Sequence, residues 1–455
     1  MMQTQRLNVM LDSIAKLVRR GALSNAINLL SKLRPVDVAG ALVQLPQRER
    51  EATFDALVKH DLIRAAETVS EMETERAVEL LQALNRDDVS RLLQELPSDD
   101  AALLVAELPE DWQEELLEKM KAEQSSGVQE LLGFADETAG RIMTPDYFAL
   151  EEDVTAAEAI TALQLRSEEF EMVFYLYVVD SRNHLLGVVS LRQLLLSPPS
   201  TPLRKIMISD VIKVTTDTDQ EEVARVVATY NLLAVPVVDQ ESKLAGIITV
   251  DDIIDVMREE ATEDIYALAG VDADDRALGS PMNSVRRRLP SLLLSLGTAL
   301  IGMLIVRYYL ETIEHKLLLA ALIPVVAAMG GNAATQTITV VVRAIGLGEL
   351  SWERGRRVVL KEALVGLTNG VIVGLIVGLA IAFFFEPLLG GVLALTMMMS
   401  LLVAATLGTL VPMTLKRIKV DPALASSVFV LTLTDIITFF FYLGVATFLL
   451  RHFKL

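Results

Sequence analysis

From Arg286 onward, five stretches of this chain are free or nearly free of charge: residues 289–306, 317–342, 363–385, 387–415 and 422–450, the last interrupted only by Asp435. Each is long enough for the roughly 20 residues with which a helix crosses a hydrocarbon core. Lipid offers the backbone no hydrogen bonds, so such stretches must satisfy their own as helices. The chain before them is different material. Residues 1–285 hold 26 basic and 52 acidic side chains, whereas residues 286–455 hold 15 and 8. An acidic, water-soluble half is joined to a mildly basic half that spans a membrane.

Basic residues set the expected orientation. Arg286, Arg287 and Arg288, then Arg343, Arg354, Arg356, Arg357 and Lys361, then Lys416, Arg417 and Lys419 alternate with ends that carry only Arg307, Lys316, Arg451 and Lys454. That bias of 11 against 4 places the N-terminal half in the cytosol and the C-terminus outside. The first residues, MMQTQRLNVMLDSIAKLVRRG, are amphipathic and lack a long apolar core or cleavage site, so no secretory signal is expected.

Several chemistries are excluded. The chain has no cysteine, hence no disulfide, thiolate metal site or thiol nucleophile. His60, His184, His315 and His452 are far apart and show no metal-ligand spacing. No Walker-type loop or nucleophile elbow is present, so an enzyme or a nucleotide-driven pump is not expected, nor is a nucleic-acid partner.

An ionised group at mid-bilayer costs about 2.5 to 3.5 kcal/mol on insertion scales, which makes Asp435 a functional candidate by default. Asp421, fourteen residues earlier, is close to four helical turns away, roughly 21 Å along one face. The two acids can mark the middle and the inner mouth of one polar path. Equally, Asp421 can simply cap the fifth helix before Pro422, and Asp435 can be a neutral hydrogen-bonding group. The absence of any Lys or Arg to pair with in that span favours the ion for Asp435. In the second span, Pro324 is followed by Gly330, Gly331, Asn332 and Gln336. Helix packing through small residues accounts for the glycines, but poorly for the two amides.

In the acidic half, Leu84-Asn85, Leu96-Pro97 and Leu108-Pro109 recur every 12 residues, each followed by an acidic pair. Repeats this short bury their apolar faces only by stacking, so a helical superhelix is expected over residues 1–135. The acidic pairs suit helix N-termini; Asp87, in the first pair, is the candidate if one of them binds metal. A second repeat follows: Val178-Val179-Asp180 with Gly187-Val188-Val189-Ser190 returns 59 residues later as Val237-Val238-Asp239 with Gly246-Ile247-Ile248-Thr249. Ile142-Met143-Thr144-Pro145 and Ile206-Met207 head the two copies. These resemble tandem CBS domains, β-α-β-β-α halves about a pseudo-twofold cleft, expected at 136–200 and 201–260. Residues 251–265 then run toward the membrane with helical spacing and heavy negative charge, which opens a connecting helix and linker at 261–285. Such a run is most often a solvated face, but this one lies between a sensor-like module and the spans.

The pairing of Pro324, Gly330-Gly331-Asn332 and Gln336 in span two with Asp421-Pro422-Ala423 and Asp435 in span five resembles the MgtE family of bacterial magnesium channels, and the domain order fits along nearly the whole chain. Ala334, Ser427 and Val428 depart from the family pattern. The resemblance implies a multidomain fold: an α-helical superhelical N-terminal domain, tandem CBS (α/β) domains, a connecting helix and a five-helix transmembrane domain at 286–455. It implies a homodimer in the bacterial plasma (inner) membrane, in contact with lipid, that conducts Mg2+ past an Asp435 from each subunit. Mg2+ commonly keeps several waters and one or two carboxylates.

Excess acidity near the spans suggests a latch in which cytosolic Mg2+ bridges carboxylates and shuts the pore. By resemblance, its positions are Asp219, Glu221, Asp252, Asp255, Glu260, Glu263 and Asp264, the last two sharing an ion with Asp421, while Asn231 stands where a relative can carry an acid. Asp252 is also a candidate ribose contact for ATP at the CBS pair; Gln193 takes that place in the first copy. The competing readings are a non-transporting membrane sensor and a chloride-type transporter. In the latter the CBS pair normally follows the membrane domain, the reverse of the order here.

Overall fold

The computed structural model describes residues 2–166, 173–272, 275, 280–350 and 352–453, apart from the side chains of 2–9, 123, 352–354, 424–427 and 453. Lys454, counted in the charge bias, lies outside the described residues, as do the side chains of Arg354 and Ser427 and part of the 261–285 linker. The chain forms two compact units, Met1–Val256 and Met257–Leu455.

Among the described residues the first unit begins with the helices α1 (Met2–Arg19), α2 (Leu23–Leu30), α3 (Pro35–Val43), α4 (Gln47–His60), α5 (Leu62–Ser70), α6 (Thr74–Gln82), α7 (Arg86–Leu93), α8 (Ser98–Ala106), α9 (Glu110–Lys119) and α10 (Ala122–Leu132). The 12-residue period is more extensive than the sequence suggested. It sets the starts of α2 to α4 and again those of α5 to α10, with one longer step where α4 runs to 14 residues. Helices of 8 to 10 residues are too short to be stable alone. Each buries an apolar stripe, such as Val89, Leu92 and Leu93 of α7, or Ala101, Leu104 and Val105 of α8. Packing is largely to the next-but-one helix, α5 on α7, α6 on α8, α7 on α9 and α8 on α10, which winds the stack into a superhelix. The acidic pairs Asp87-Asp88, Asp99-Asp100 and Glu110-Asp111 occupy first turns, where unpaired N–H groups favour negative charge.

After the short α11 (Ala139–Ile142) come two similar halves. The first is β1 (Ala149–Glu151), α12 (Ala156–Leu165), β2 (Tyr175–Val179), β3 (Leu185–Ser190) and α13 (Leu191–Leu196). The second is β4 (Val214–Thr215), α14 (Gln220–Tyr230), β5 (Ala234–Val238), β6 (Leu244–Thr249) and α15 (Val250–Leu268). In each, the first strand pairs parallel to the second and the second antiparallel to the third. The register repeats as well: Val178 faces Gly187 and Val237 faces Gly246, with an irregularity one residue later in both. The leaders cross over. Met143, ahead of the first half, covers Gly246 of the second, and Met207 covers Gly187 of the first. A Cβ at Gly246 would come within 2.7 Å of both the Met143 sulfur and the Thr144 carbonyl oxygen, so glycine is required there, while one at Gly187 would displace the Met207 side chain, whose sulfur would lie 2.7 Å away. The expected limit at 260 falls inside α15, which is one unbroken helix.

The second unit holds α16 (Pro281–Tyr308), α17 (Leu310–His315), α18 (Leu318–Gly346), α19 (Trp352–Phe384), α20 (Pro387–Arg417) and α21 (Pro422–Phe453). Five of these are long and apolar enough to cross a membrane. The helix α16 starts before Arg286, at Pro281, because proline suits a first helical position and the basic triplet continues the helix outward. Helices α18, α20 and α21 pack on one another, and α19 packs on α20. The α19–α20 contact is made by Gly366, Gly370, Gly374 and Gly378, at four-residue intervals. A Cβ on Gly370 would meet Met398 Cα at 2.7 Å, and one on Gly374 would meet Ala394 O at 2.6 Å.

Candidate functional site

Asp435 lies near the middle of α21, half-buried, with no hydrogen-bond or ion-pair partner among the described residues. Its neighbour Thr434 is fully buried and its hydroxyl is unsatisfied, while Ser400 Oγ and Thr438 Oγ1 are 3.0 Å apart. Onto this hydroxyl cluster packs the glycine pair of α18. A Cβ on Gly330 would approach Ser400 Oγ to 2.8 Å and Thr434 Cγ2 to 3.4 Å, and one on Gly331 would approach Leu431 Cδ2 to 3.6 Å. The glycines of span two and the acid of span five therefore border one seam. Gln336, read from the sequence with that motif, faces a cavity it shares with α19 and α20 instead. Five or six residues along a helix from the glycines, a side chain points largely the other way. Asp421 caps its helix, accepting the Ala423 N–H at 2.8 Å.

Asp264, on α15, is half-buried. Burial first, and then the Asp421 charge, hold its carboxyl above the ordinary range. Asp264 thus lies within reach of the charge with which it was expected to share an ion. Glu263 and Glu260 are partly buried on the same helix.

In the first unit, Asp252 opens α15, with the Thr249 hydroxyl donating to it at 2.6 Å. Burial, reinforced by Asp251 and Asp100 and opposed by the Thr249 bond, pushes its carboxyl up to about 6. The facing acids come from the superhelix. Asp99 has a buried oxygen without a partner among the described residues, and burial together with the charges of Asp252 and Asp100 drives its carboxyl well above the usual value. Asp100, bonded to the Ser70 hydroxyl, is raised by burial and by Asp251 and Asp255. Glu71 is raised by burial, then by Asp255 and Asp100. Unscreened acids crowded in this way favour a proton or a cation.

Asp87 is not among them. It is exposed and ion-paired with Lys119 at 2.7 Å, so the helical domain brings Asp99, Asp100 and Glu71, and not Asp87, to the CBS acids. The sequence pointed to acidic pairs but not to which one lies opposite α15. Asp219 is the N-cap of α14, accepting the Glu221 N–H at 2.9 Å, with Glu221 in the first turn. Asn231 ends that helix in the left-handed region, φ 51°, where Asn is tolerated better than an acid with a longer side chain. Gln193, in the place equivalent to Asp252, receives the Ser190 hydroxyl cap on its N–H and donates its side-chain amide to Ile206 O. Among the described residues, no three His, Asp or Glu side chains are already gathered around one point as metal ligands.

Three family models match. A divalent cation transporter model covers residues 323–445, an MgtE intracellular N domain model covers 33–137, and a CBS domain model covers 139–198 and 203–259. The magnesium transporter MgtE of Bacillus subtilis (strain 168) is 32% identical over 448 residues, 98% of this chain and 99% of its own. That of Thermus thermophilus is 37% identical over 326 residues, 71% of this chain and 72% of its own. Among solved structures, the cytosolic domain of the Mg2+ channel MgtE in complex with ATP is 34% identical, with a TM-score of 0.51, over 54% of this chain and 99% of that one.

Proposed function

The chain belongs to the MgtE family of divalent cation transporters, and from that premise we propose that it is a channel for passive Mg2+ uptake whose ion path follows the α18–α21 seam past Asp435. The observation that carries this reading is the apposition of Gly330 and Gly331 with the Thr434–Thr438 turn, beside an intramembrane carboxylate that has no partner among the described residues. A carboxylate at that depth attracts cations and opposes anions. A dication moving down a membrane potential gains about 4.6 kcal/mol per 100 mV, so no nucleotide hydrolysis is needed. In this reading two copies assemble about the path, each contributing an Asp435, in a bacterial plasma membrane with the first unit in the cytosol and the C-terminus outside.

Closure is assigned to the acids. Mg2+ bound between Asp99, Asp100 and Glu71 on one side and Asp252 and Asp255 on the other holds the superhelix against the second CBS half. Glu263 and Asp264 share an ion with Asp421, and Asp219, Glu221 and Glu260 complete the set that the family resemblance implies. The closed state dominates at high Mg2+ because it binds more ions than the open one. ATP, held through Asp252 at the CBS pair, is a modulator and not a fuel.

Mg2+ flux into vesicles containing purified protein tests the path. Asp435→Asn and Asp435→Ala should each lower the rate by tenfold or more. Full flux in both would overturn the path, and no flux in the unsubstituted protein would favour a sensor that transports nothing.

A further inference from the structure

The membrane unit has a second polar feature that the ion path does not use. A lateral cavity of about 260 Å3 opens between α18, α19 and α20. Gln336, Lys361, Glu362 and Asn369 give it polar corners, and Val340, Val365 and Leu401 give it apolar walls. Glu362 is buried, at 7% exposure, and holds Lys361 Nζ at 2.7 Å. Lys361 is itself 65% exposed, so this contact fixes an ammonium at the cavity mouth where a lysine would otherwise reach freely into water. Arg357 lies one turn before Lys361 on α19, and Arg343 lies three residues beyond Val340 on α18. Both continue the cavity-lining faces toward the turn that joins the two helices. Both are exposed, and neither has an ion pair or hydrogen bond among the described residues.

We propose that this cavity is a binding site for an anionic phospholipid of the leaflet that meets the α18–α19 turn. The phosphate lies against Lys361, Arg357 and Arg343, ester carbonyls accept from the amide N–H groups of Gln336 and Asn369, and an acyl chain follows Val340, Val365 and Leu401. Basic pockets between spanning helices are suited to such headgroups. Charge selects this occupant over two others. A cation entering here meets three basic side chains against one acid that is already paired. A second copy of the chain laid across the cavity by a two-fold axis sets the basic mouth against its own image.

Full-length protein, stripped of lipid in detergent and titrated with phosphatidylglycerol or phosphatidylcholine, reports retained lipid by native mass spectrometry. The unsubstituted chain should prefer phosphatidylglycerol. One basic side chain facing anionic lipid is worth roughly a fivefold preference, so the double variant Arg357→Gln, Lys361→Gln should lose on the order of 25-fold. Val365→Trp, which fills the cavity and leaves the mouth intact, should lower retention of both lipids. Unchanged retention in Val365→Trp, or in a well-folded double variant, overturns the proposal. So does disulfide cross-linking between copies through Val340→Cys, unambiguous in a chain without cysteine, because it places a second copy in the cavity.

Discussion

Asp252→Asn isolates the energetic cost of the acid cluster without removing its shape, because an amide oxygen can still accept the Thr249 hydroxyl. The Asp252 carboxyl is raised from 3.8 to about 6, chiefly by burial and then by Asp251 and Asp100. At about 1.36 kcal/mol per pH unit, keeping it ionised costs at most about 3 kcal/mol, and docking bears the share that comes from burial against the superhelix and from Asp100. The sign follows from the raised value. Above about pH 6 the group is charged whether docked or released, and the cost is complete. As pH falls from 6 toward 4 the docked form takes up a proton first and the cost disappears, so docking strengthens on acidification. A cation at 100 times its dissociation constant contributes about 2.7 kcal/mol, nearly the same amount. Limited proteolysis of the full-length protein tracks release of the superhelix when opening is fast. At pH 7.5 without Mg2+, Asp252→Asn should slow cleavage near residues 133–138 by up to about 100-fold, and millimolar Mg2+ should protect the unsubstituted chain far more than the variant. Equal cleavage of the two without Mg2+, or equal protection of both by it, would refute the reasoning.

Neutralising Asp252 and Asp255 together should leave conduction in vesicles intact and abolish its inhibition by millimolar internal Mg2+. Asp87→Ala should leave Mg2+ protection against protease unchanged, since Lys119 already occupies that carboxylate. Gly374→Leu should drive α19 off the Ala394 carbonyl and cost at least about 1 kcal/mol, read as a melting temperature lower by about 2 °C or more in detergent. Asn231→Ala should destabilise the first unit by about 1 kcal/mol in urea unfolding, while Asn231→Gly should not, because only a residue that accepts φ 51° ends α14 without strain.

The features legible in the sequence were periodic or costly ones. Five apolar stretches gave five helices long and apolar enough to span because a single lipid-facing segment satisfies its backbone only as a helix, and the 59-residue echo gave two halves whose strand registers match residue for residue. Asp435 stood out because a charge at that depth is costly, and its carboxylate is half-buried with no partner among the described residues. What escaped depended on which surfaces meet. Asp87 and Asp99 are alike in sequence, each opening a helix after the same turn, and only superhelical winding decides that one faces Lys119 and the other Asp252. The crossed methionine leaders were invisible for the same reason, because a repeat shows which segments are alike but not which partner each one covers. The glycines of α19 passed for ordinary membrane composition until the backbone of α20 was beside them.

That glycine ladder has a mechanical consequence. Where main chains touch over four successive turns, no side chains intervene whose rotamers could absorb a shift, so sliding or rolling one helix past the other would force atoms together at every rung. Helices α19 and α20 are in effect a single girder. For the path proposed along the α18–α21 seam, widening would then come from α18 and α21 moving against a fixed wall, and the hydroxyls of Ser400 and Thr438, one on each side of that boundary, are where such movement would first be felt.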